Sequence, residues 1–378
     1  MRFDGNNHMS WNSIIGQKRV KQTIERFMSQ NRLPHALLFY GPEGVGKDAV
    51  AIQLAKIINC SSGNSDSCNK CPDCQKFDSL QHPNLHLVFP LPVGKNESSD
   101  SSPIEKLSSD ELSAVQSEIR IKSKNLYHNI TIDRANIIKM TSIREIRRKS
   151  SLSVYEKGKR VIVIMNADKM NDEASNALLK TLEEPLENTL LILTTSNKDA
   201  LLTTIISRCQ LVRFDELSEY EINEALRTTA KVDEQQARII SRLANGSYSR
   251  ALELTGSELN SKRTFVVDFL VAIITQNTLN ISREAEKLAK EFNRFEIEQI
   301  LLLMQMWFRD ANAIQLGNEK IYNIDQIGRL EKFVAKYPTI NYSKVYEIIE
   351  KSLSLLKKNV YINLILLTLV INIKRVLK

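Results

Sequence analysis

The sequence predicts an α/β domain with a parallel β-sheet, followed by a helical region that forms a small and a larger domain. Two continuous apolar runs, residues 159–166 and 189–195, have the composition of central strands buried on both faces. Each run is followed by a segment with helical periodicity, and this alternation is typical of parallel sheets with right-handed crossovers. From residue 217 onward no strand pattern of comparable strength occurs, and only 12 Gly and 9 Pro interrupt the 378 residues. The second half is therefore expected to be all-α.

The composition is that of a folded globular protein without a membrane span. Hydrophobic residues make up 42% and charged residues 25% of the chain, which excludes a disordered or fibrous protein. The longest apolar run, residues 362–373, falls short of the ~20 residues that cross a bilayer. The first residues lack the apolar stretch of a secretory signal, so we expect a cytoplasmic location. The net charge of +8 permits contact with nucleic acid without requiring it.

The first strand, LLFY at 37–40, leads into a glycine-rich loop. Residues 41–47, GPEGVGK, fit the frame G-x-x-x-x-G-K, in which bare backbone amides and a lysine hold phosphates at a helix N-terminus. Residues 48–59 then have helical spacing. The sequence therefore predicts a strand, a phosphate loop (P-loop) and a helix. The phosphate-binding residues would be Gly41, Gly44, Gly46 and Lys47.

Two features of a hydrolysing P-loop are missing. The residue after the loop lysine is Asp48, where a Ser or Thr hydroxyl would bind Mg²⁺. Its carboxylate repels a phosphate oxygen ~4 Å away by about 4 kcal/mol per charge pair at an effective dielectric of roughly 20. The second core strand ends in Met165 and Asn166, where such enzymes carry an acid. We therefore expect weakened binding of ATP and Mg²⁺ and no intrinsic ATPase activity. Three roles remain open for Asp168: a displaced acid, a helix cap or a surface residue.

Four of the five cysteines follow the loop helix with the spacing C-x₇-C-x₂-C-x₂-C. This spacing can bring four thiolates around one tetrahedral ion, and four sulfur ligands favour a structural zinc. Iron–sulfur ligation uses similar runs and stays open, as do unliganded thiols. Cys209 is expected to be buried in packing, and His82 and His86 are expected at the surface. The predicted ligands are Cys60, Cys68, Cys71 and Cys74.

The middle of the chain contains a serine-rich segment. Residues 94–113 include seven serines, which indicates a surface insertion that no core requires, and we expect it to be mobile. Its tail, SDELSAVQSEI, predicts a short capped helix. After the second strand, Asn171 or Asp172 would cap a helix that Pro185 ends.

Four motifs stand out in the first 209 residues: WNSIIGQ at 11–17, LPHALLFYGPEGVGK at 33–47, NALLKTLEEP at 176–185 and SRC at 207–209. Together they resemble the AAA+ subunits of the bacterial DNA polymerase III clamp loader. Motor subunits of that family, tau or gamma, keep an intact P-loop, an Asp-Glu pair after the second strand and a lid arginine. This chain has Ser249 where the lid arginine belongs. The resemblance therefore implies the delta-prime type, which does not hydrolyse ATP.

The resemblance also implies a division into three domains. An AAA+ ATPase-like α/β domain would span residues 10–213, with the zinc module at 60–74 and the surface insertion near 94–125. A helical lid would span 214–257, and a helical collar for oligomerisation would span 258–378. The apolar faces in 341–378 fit such a collar, although core packing also explains them.

The resemblance implies that Arg208, in the SRC motif, is an arginine finger that reaches into the ATP site of the neighbouring subunit. The resemblance thus implies partners: tau or gamma and delta subunits in a heteropentamer and, through that complex, the sliding clamp and primer–template DNA. From residue type alone, an arginine tied to acids of its own domain stays open. Thr195 lies near the family's sensor position.

Two other functions stay open. One is a motor-type ATPase that uses Lys47, Asp48 and Asp168 in an unusual arrangement. The other is a nucleic-acid-binding zinc protein whose P-loop is a relic. The basic stretch 144–160 is consistent with a solvated helix face or with contacts to duplex phosphates.

Overall fold

The computed structural model describes residues 14–62, 66–92, 102–151, 158–185, 187–255, 259–317, 321–358 and 360–376. Parts of three predicted segments, residues 11–13, 93–101 and 152–157, lie outside this range. The chain divides into two compact units. The first comprises Met1–Lys231 and Ala244–Leu252, and the second comprises Val232–Leu243 and Glu253–Lys378. The boundaries at 213 and 257 stay a prediction.

The first unit contains a five-stranded sheet in which every pair of neighbours is parallel, in the order β2-β3-β4-β1-β5. This confirms the predicted α/β fold. The strands are β1 (Ala36–Tyr40), β2 (Leu85–Val88), β3 (Arg160–Ile164), β4 (Thr189–Thr195) and β5 (Gln210–Arg213). The three apolar runs of the sequence are β1, β3 and β4 at the centre of the sheet. The two edge strands, β2 and β5, were not predicted.

Helices cover both faces of this sheet and continue through the rest of the chain. Those up to the end of the sheet are α1 (Lys18–Ser29), α2 (Lys47–Ile58), α3 (Pro72–Asp78), α4 (Ser109–Lys124), α5 (Met140–Ser151), α6 (Asp172–Glu183) and α7 (Thr203–Ile206). Then follow α8 (Glu219–Thr228), α9 (Glu234–Leu243), α10 (Tyr248–Glu253), α11 (Leu259–Thr275), α12 (Thr278–Glu291), α13 (Arg294–Gln315), α14 (Ile327–Lys336), α15 (Tyr342–Lys357) and α16 (Ile362–Val376). No helix in the described ranges is long and apolar enough to cross a membrane.

One predicted cap is present on α6, and the cap of α4 lies one residue before the predicted segment, which begins at Ser109. Asn171 caps α6 by accepting the backbone N–H of Ala174, and Pro185 follows two residues after the helix end. Ser108 forms a capping box with Glu111 at the start of α4. Nearly all residues of α2 are buried, not those of one face only. It packs against β3, β4 and α3, which leaves no side of it open to solvent.

The described part of the serine-rich segment packs more tightly than its composition indicates. We expected a mobile insertion without core contacts, but Leu107 and Val115 are buried and the side chain of Lys122 is 1% exposed. The reason is an apolar face at helical spacing in α4 that packs against the domain, with Lys122 directed to the half-buried carboxylate of Asp48. Residues 102–125 are therefore part of the first unit.

The second unit is all-α in its described part, as predicted. Trp307, Phe308, Phe333 and Tyr342 form an aromatic centre with ring centroids 6.1–6.3 Å apart. The predicted apolar positions Ile349, Leu353 and Leu356 are buried, so core packing explains them. Exposed apolar side chains remain on the same stretch at Tyr361 and Leu364, which are 74% and 59% exposed.

Candidate functional site

The P-loop follows β1 at the carboxyl end of the sheet, and its glycines adopt left-handed backbone conformations. Gly41, Gly44 and Gly46 have φ angles of 147°, 74° and 98°. A Cβ on Gly44 would lie 2.0 Å from the Ser247 hydroxyl oxygen, and one on Gly41 would lie 2.2 Å from the Phe214 carbonyl oxygen. Glycine is therefore required at these positions, both by the backbone conformation and by the close approach of other segments.

The loop lysine is engaged by the loop itself. Lys47 is 8% exposed, and its ammonium donates to the carbonyl oxygens of Gly41 and Pro42 at 2.8 and 2.5 Å. Burial lowers the pKa of Lys47, although the neighbouring carboxylates, Asp48 first among them, act in the opposite direction. In this conformation the ammonium satisfies backbone carbonyls rather than pointing out of the loop.

The carboxylate of Asp48 is held from two sides. One oxygen lies 3.2 Å from the Lys122 ammonium, and the other accepts the Thr194 hydroxyl at 2.7 Å. Burial favours the neutral acid, but the Lys122 ammonium and the Thr194 hydroxyl outweigh it, so the pKa of Asp48 lies below its usual value. Asp48 is therefore a charged residue of an internal ion pair.

Lys122 was not identified from the sequence, although a signal for it exists. Val115, Ile119 and Lys122 follow at helical spacing, so a lysine lies on the apolar face of α4. A buried lysine is retained where an acid pairs with it. The acid in this case is far away in sequence, and the pairing could not be assigned before the fold was known.

The end of the second core strand lacks an acid, as the sequence indicated. Met165 is buried, and Asn166 donates its backbone N–H to the Thr194 hydroxyl at 3.3 Å. Asp168 lies in a 3₁₀ turn and accepts the Thr195 hydroxyl at 2.6 Å. The structure therefore brings the candidate acid and the candidate sensor threonine into direct contact.

The start of α10 lies directly on the P-loop. The backbone N–H groups of Tyr248 and Ser249 donate to the Gly44 carbonyl at 3.0 and 3.3 Å. The Ser249 hydroxyl donates to the Tyr127 carbonyl at 2.5 Å. Ser249, which stands in place of the family's lid arginine, is thus buried and bonded to protein groups.

Arg208 lies at the opposite end of the sheet from its own P-loop. β5 runs parallel to β1 with Gln210 beside Leu37 and Arg213 beside Tyr40, the residue before the loop. Arg208 precedes β5, so about 10 Å of strand, at ~3.3 Å per residue, separates it from the loop edge. Its guanidinium, 37% exposed, forms an ion pair with Glu183 at 2.9 Å and donates to the Thr204 carbonyl at 3.0 Å.

The four predicted cysteine ligands converge. Their sulfur atoms all lie within 4.8 Å of one another, and the sulfurs of Cys68 and Cys74 are 3.9 Å apart. A single tetrahedral ion with metal–sulfur bonds of about 2.3 Å places its ligands about 3.8 Å apart, so the cluster fits one metal ion. Iron–sulfur clusters contain several metal ions between their thiolates and need wider spacing. Cys209 is apart from this group and buried in the sheet core, as predicted.

Backbone N–H groups favour thiolates in this cluster. Hydrogen bonds from Lys70 and Cys71 lower the pKa of Cys68 to about 6. Burial raises the pKa of Cys74, whose sulfur therefore needs a cation beside it to ionise. Cys71 caps α3, and its sulfur accepts the backbone N–H of Cys74. The sulfurs are oriented by the turn itself, which suits a structural metal site.

The cysteine module is anchored to the P-loop helix. The Lys56 ammonium on α2 forms a buried ion pair with Asp78 on α3 at 2.6 Å. Gln53 donates to the Ser67 hydroxyl at 3.0 Å. His82 was expected at the surface, but this prediction is wrong: it is 2% exposed and stacks on Phe77 with ring centroids 4.2 Å apart. The spacing of isolated histidines does not reveal such ring stacking.

The basic stretch lies partly on α5. Arg144 and Arg148 are exposed, and Arg148 forms an ion pair with Glu145 on the same helix at 2.9 Å. A contact with nucleic acid stays a prediction.

These features define a class of protein before any comparison is made. A parallel sheet with a P-loop after a central strand, followed by helical domains, is an AAA+ P-loop fold. The chain belongs to the DNA polymerase III delta-subunit family, because the sequence model described as "DNA polymerase III, delta subunit" matches residues 16–218.

The chain is also similar to individual subunits and to a solved structure. The delta-prime subunit of DNA polymerase III from Bacillus subtilis strain 168 is 30% identical over 316 residues, which cover 82% of each chain. The tau subunit from the same organism is 28% identical over 310 residues, covering 80% of this chain and 47% of its own. A solved DNA polymerase III gamma-subunit-related protein from Thermotoga maritima aligns over 95% of this chain and 99% of its own, with 13% identity and a TM-score of 0.40.

Proposed function

We propose that this chain is a non-hydrolysing, delta-prime-type subunit of a DNA polymerase III clamp loader. It supplies Arg208 to the ATP site of a neighbouring motor subunit and helps to assemble the complex that loads the sliding clamp on primed DNA. Its partners are tau or gamma subunits and a delta subunit in a heteropentamer. Support for these partners comes from the family and from relatives that are themselves delta-prime and tau subunits.

The observation that carries the proposal is the state of Asp48. A hydrolysing P-loop needs a hydroxyl at this position to hold Mg²⁺ on the phosphates. Here the position carries a carboxylate whose two oxygens are bound by Lys122 and Thr194. Binding of a metal ion would require the displacement of an ammonium that is buried in the same site.

The rival function, a motor-type ATPase, would use Lys47, Asp48 and Asp168. Each of these side chains is already engaged within the chain: the first with loop carbonyls, the second with Lys122, the third with Thr195. A general base must be able to reach an attacking water. Neither Asp48 nor Asp168 lies directly after the second core strand, and both carboxylates already accept hydrogen bonds within the chain.

The position of Arg208 supports a role in another subunit. The residue lies at the end of the sheet opposite to its own P-loop, so it does not serve a nucleotide bound there. Its ion pair with Glu183 is exposed on both sides, and exposed pairs contribute only about 0–1 kcal/mol. The guanidinium can therefore exchange Glu183 for a phosphate at little energetic cost.

The test of the non-hydrolysing assignment is Lys47→Ala, measured in the complex assembled with the tau or gamma and delta subunits. We expect the DNA-stimulated ATPase rate per complex to stay unchanged, because the P-loop of this chain does not hydrolyse ATP. The matched control is the same substitution in the motor subunit's own P-loop, which should abolish turnover at that site.

An isolated chain that hydrolyses ATP at about one per second, within the usual enzyme range, and loses this activity on Lys47→Ala would overturn the assignment. The same holds for a complex whose ATPase rate falls with Lys47→Ala in this chain alone. A nucleic-acid-binding zinc protein with a relic P-loop would fail to assemble with the other subunits, which size-exclusion chromatography measures.

A further inference from the structure

The turn that follows α4 covers the P-loop of the same chain. Tyr127 is 7% exposed, and a Cβ on Gly46 would lie 2.8 Å from the Cε1 atom of its ring. The tyrosine ring is therefore in van der Waals contact with the loop backbone. At the rim of the loop, the amide of Asn129 donates to the Glu43 carboxylate at 3.3 Å.

Tyr127 is held in this position by three other segments. Its hydroxyl oxygen accepts the backbone N–H of Ile15 at 2.8 Å, and its carbonyl accepts the Ser249 hydroxyl at 2.5 Å. Its ring meets that of Tyr248 edge-on, with centroids 4.9 Å apart at 82°. Together with the contact at Gly46, Tyr127 therefore touches three segments: the segment before α1, the P-loop and the start of α10.

Lys122 adds a fixed positive charge beside the loop. Its ammonium lies 3.2 Å from the Asp48 carboxylate and donates to the His128 carbonyl at 2.6 Å. The second bond fixes the turn that carries Tyr127. A carboxylate at the start of a P-loop helix would otherwise attract a cation from solution, and the chain supplies that cation from its own helix.

The described residues that line the P-loop enclose only a small cavity. A cavity of about 30 Å³ remains between the loop, the turn and the strand ends; its lining includes Lys47, Lys122, Tyr127, Asn166 and Ser249. A water molecule needs roughly 10–15 Å³ of such volume, so the cavity holds about two waters. Small-molecule sites usually measure about 300–1,000 Å³.

We propose that Lys122 and Tyr127 form a built-in plug of the P-loop, in which the tyrosine ring fills the binding space and the lysine takes the place of a metal ion. The plug keeps the loop empty of nucleotide while its glycine backbone stays folded. This inference rests on the proposed function, since it concerns the same P-loop. It adds a specific cause, namely that an intramolecular occupant excludes ATP, and it predicts that removal of the occupant reopens the site.

The test is direct nucleotide binding by the full-length, metal-loaded chain, measured by the fluorescence of an N-methylanthraniloyl ATP with Mg²⁺. We expect no saturable binding by the wild type up to about 1 mM. Tyr127→Ala should bind with a Kd at least tenfold below that limit, and inorganic tripolyphosphate should compete. Tyr127→Phe, which keeps the ring, is the matched control and should remain closed.

Because a buried tyrosine contributes to packing, Tyr127→Leu serves as a second opened variant that keeps an apolar side chain in place. Folding is checked by a cooperative thermal transition and by one bound metal ion per chain. The pair Asp48→Thr with Lys122→Met removes both charges together, so neither is left buried alone. Combined with Tyr127→Ala, this pair places the Mg²⁺-binding hydroxyl of a hydrolysing P-loop at position 48. Nucleotide binding should then depend on Mg²⁺.

Saturable binding by the wild type with a Kd below about 1 mM would overturn the plug. So would folded Tyr127→Ala and Tyr127→Leu variants that bind no better than wild type. Failure here is distinct from failure of the proposed function: a wild type that binds ATP without hydrolysing it contradicts the plug and leaves the non-hydrolysing role intact.

Discussion

Arg208→Ala is expected to lower ATP turnover at the neighbouring subunit's site about 10³-fold, while folding and assembly of the complex stay intact. An arginine finger neutralises charge on the transferring phosphoryl group, and such fingers contribute roughly 10³–10⁵ in rate. One site among several is lost, so the total ATPase rate falls by that site's share, or further if the sites act in obligate order. The measurement is steady-state ATPase and clamp loading per assembled complex.

Three variants separate this role from a structural one. Glu183→Gln breaks the ion pair of Arg208 but leaves the guanidinium, so activity should be unchanged. Arg213→Ala removes an exposed arginine at the far end of β5, the strand that follows Arg208. The ATPase rate should again be unchanged. Arg208→Lys keeps the charge but loses the planar fork of donors, so it should restore little of the rate.

A structural arginine would behave differently. If Arg208 acts only through Glu183, then Glu183→Gln and Arg208→Ala should have equal effects, seen as a lower melting temperature. Activity per assembled complex would then remain at the wild-type level. An unchanged ATPase rate for Arg208→Ala in the intact complex contradicts the finger.

The central strands and the P-loop could be predicted because their signals are local. Every residue of β3 and β4 is buried, and so is every residue of β1 except the last. The sequences of these strands are correspondingly continuous apolar runs. The edge strands give weaker signals: three of the four residues of β5 are exposed, and β2 has only four residues, of which two are buried. Short or half-exposed strands acquire their conformation from the neighbouring strand rather than from their own composition.

The candidate site was predicted only where its residues are close in sequence. The four cysteines lie within 15 residues, and their convergence followed from spacing. Lys122 lies 74 residues from Asp48 and Tyr127 lies 112 residues from Ile15, so neither contact has a local signature.

We propose that the cysteine cluster holds one zinc ion, and we expect its loss to lower the melting temperature by roughly 8–16 °C. A ligand present at about 1,000 times its Kd stabilises the folded state by about 4 kcal/mol. For a unit of roughly 200 residues, each kcal/mol corresponds to about 2–4 °C. The variant is Cys74→Ser, whose native sulfur is fully buried among the other three. Differential scanning calorimetry and elemental analysis are measured on the same sample.

The matched control is Cys209→Ala, which removes a buried sulfur outside the cluster. It should keep one zinc per chain and shift the transition by no more than about 4 °C, as a core change of about 1 kcal/mol does. Elemental analysis that finds iron, or no metal after purification without chelator, contradicts a zinc site. A Cys74→Ser chain whose melting temperature equals that of the wild type also contradicts it.

The effect of metal loss should reach beyond the cysteine module because of the module's anchors. Asp78 pairs with Lys56, a side chain on α2 that is almost fully buried and would lose this ion pair if α3 unfolded. Since α2 begins at Lys47, amide hydrogen exchange should increase along that helix in Cys74→Ser. An increase confined to residues 60–78 would mean that the module folds independently of the P-loop helix.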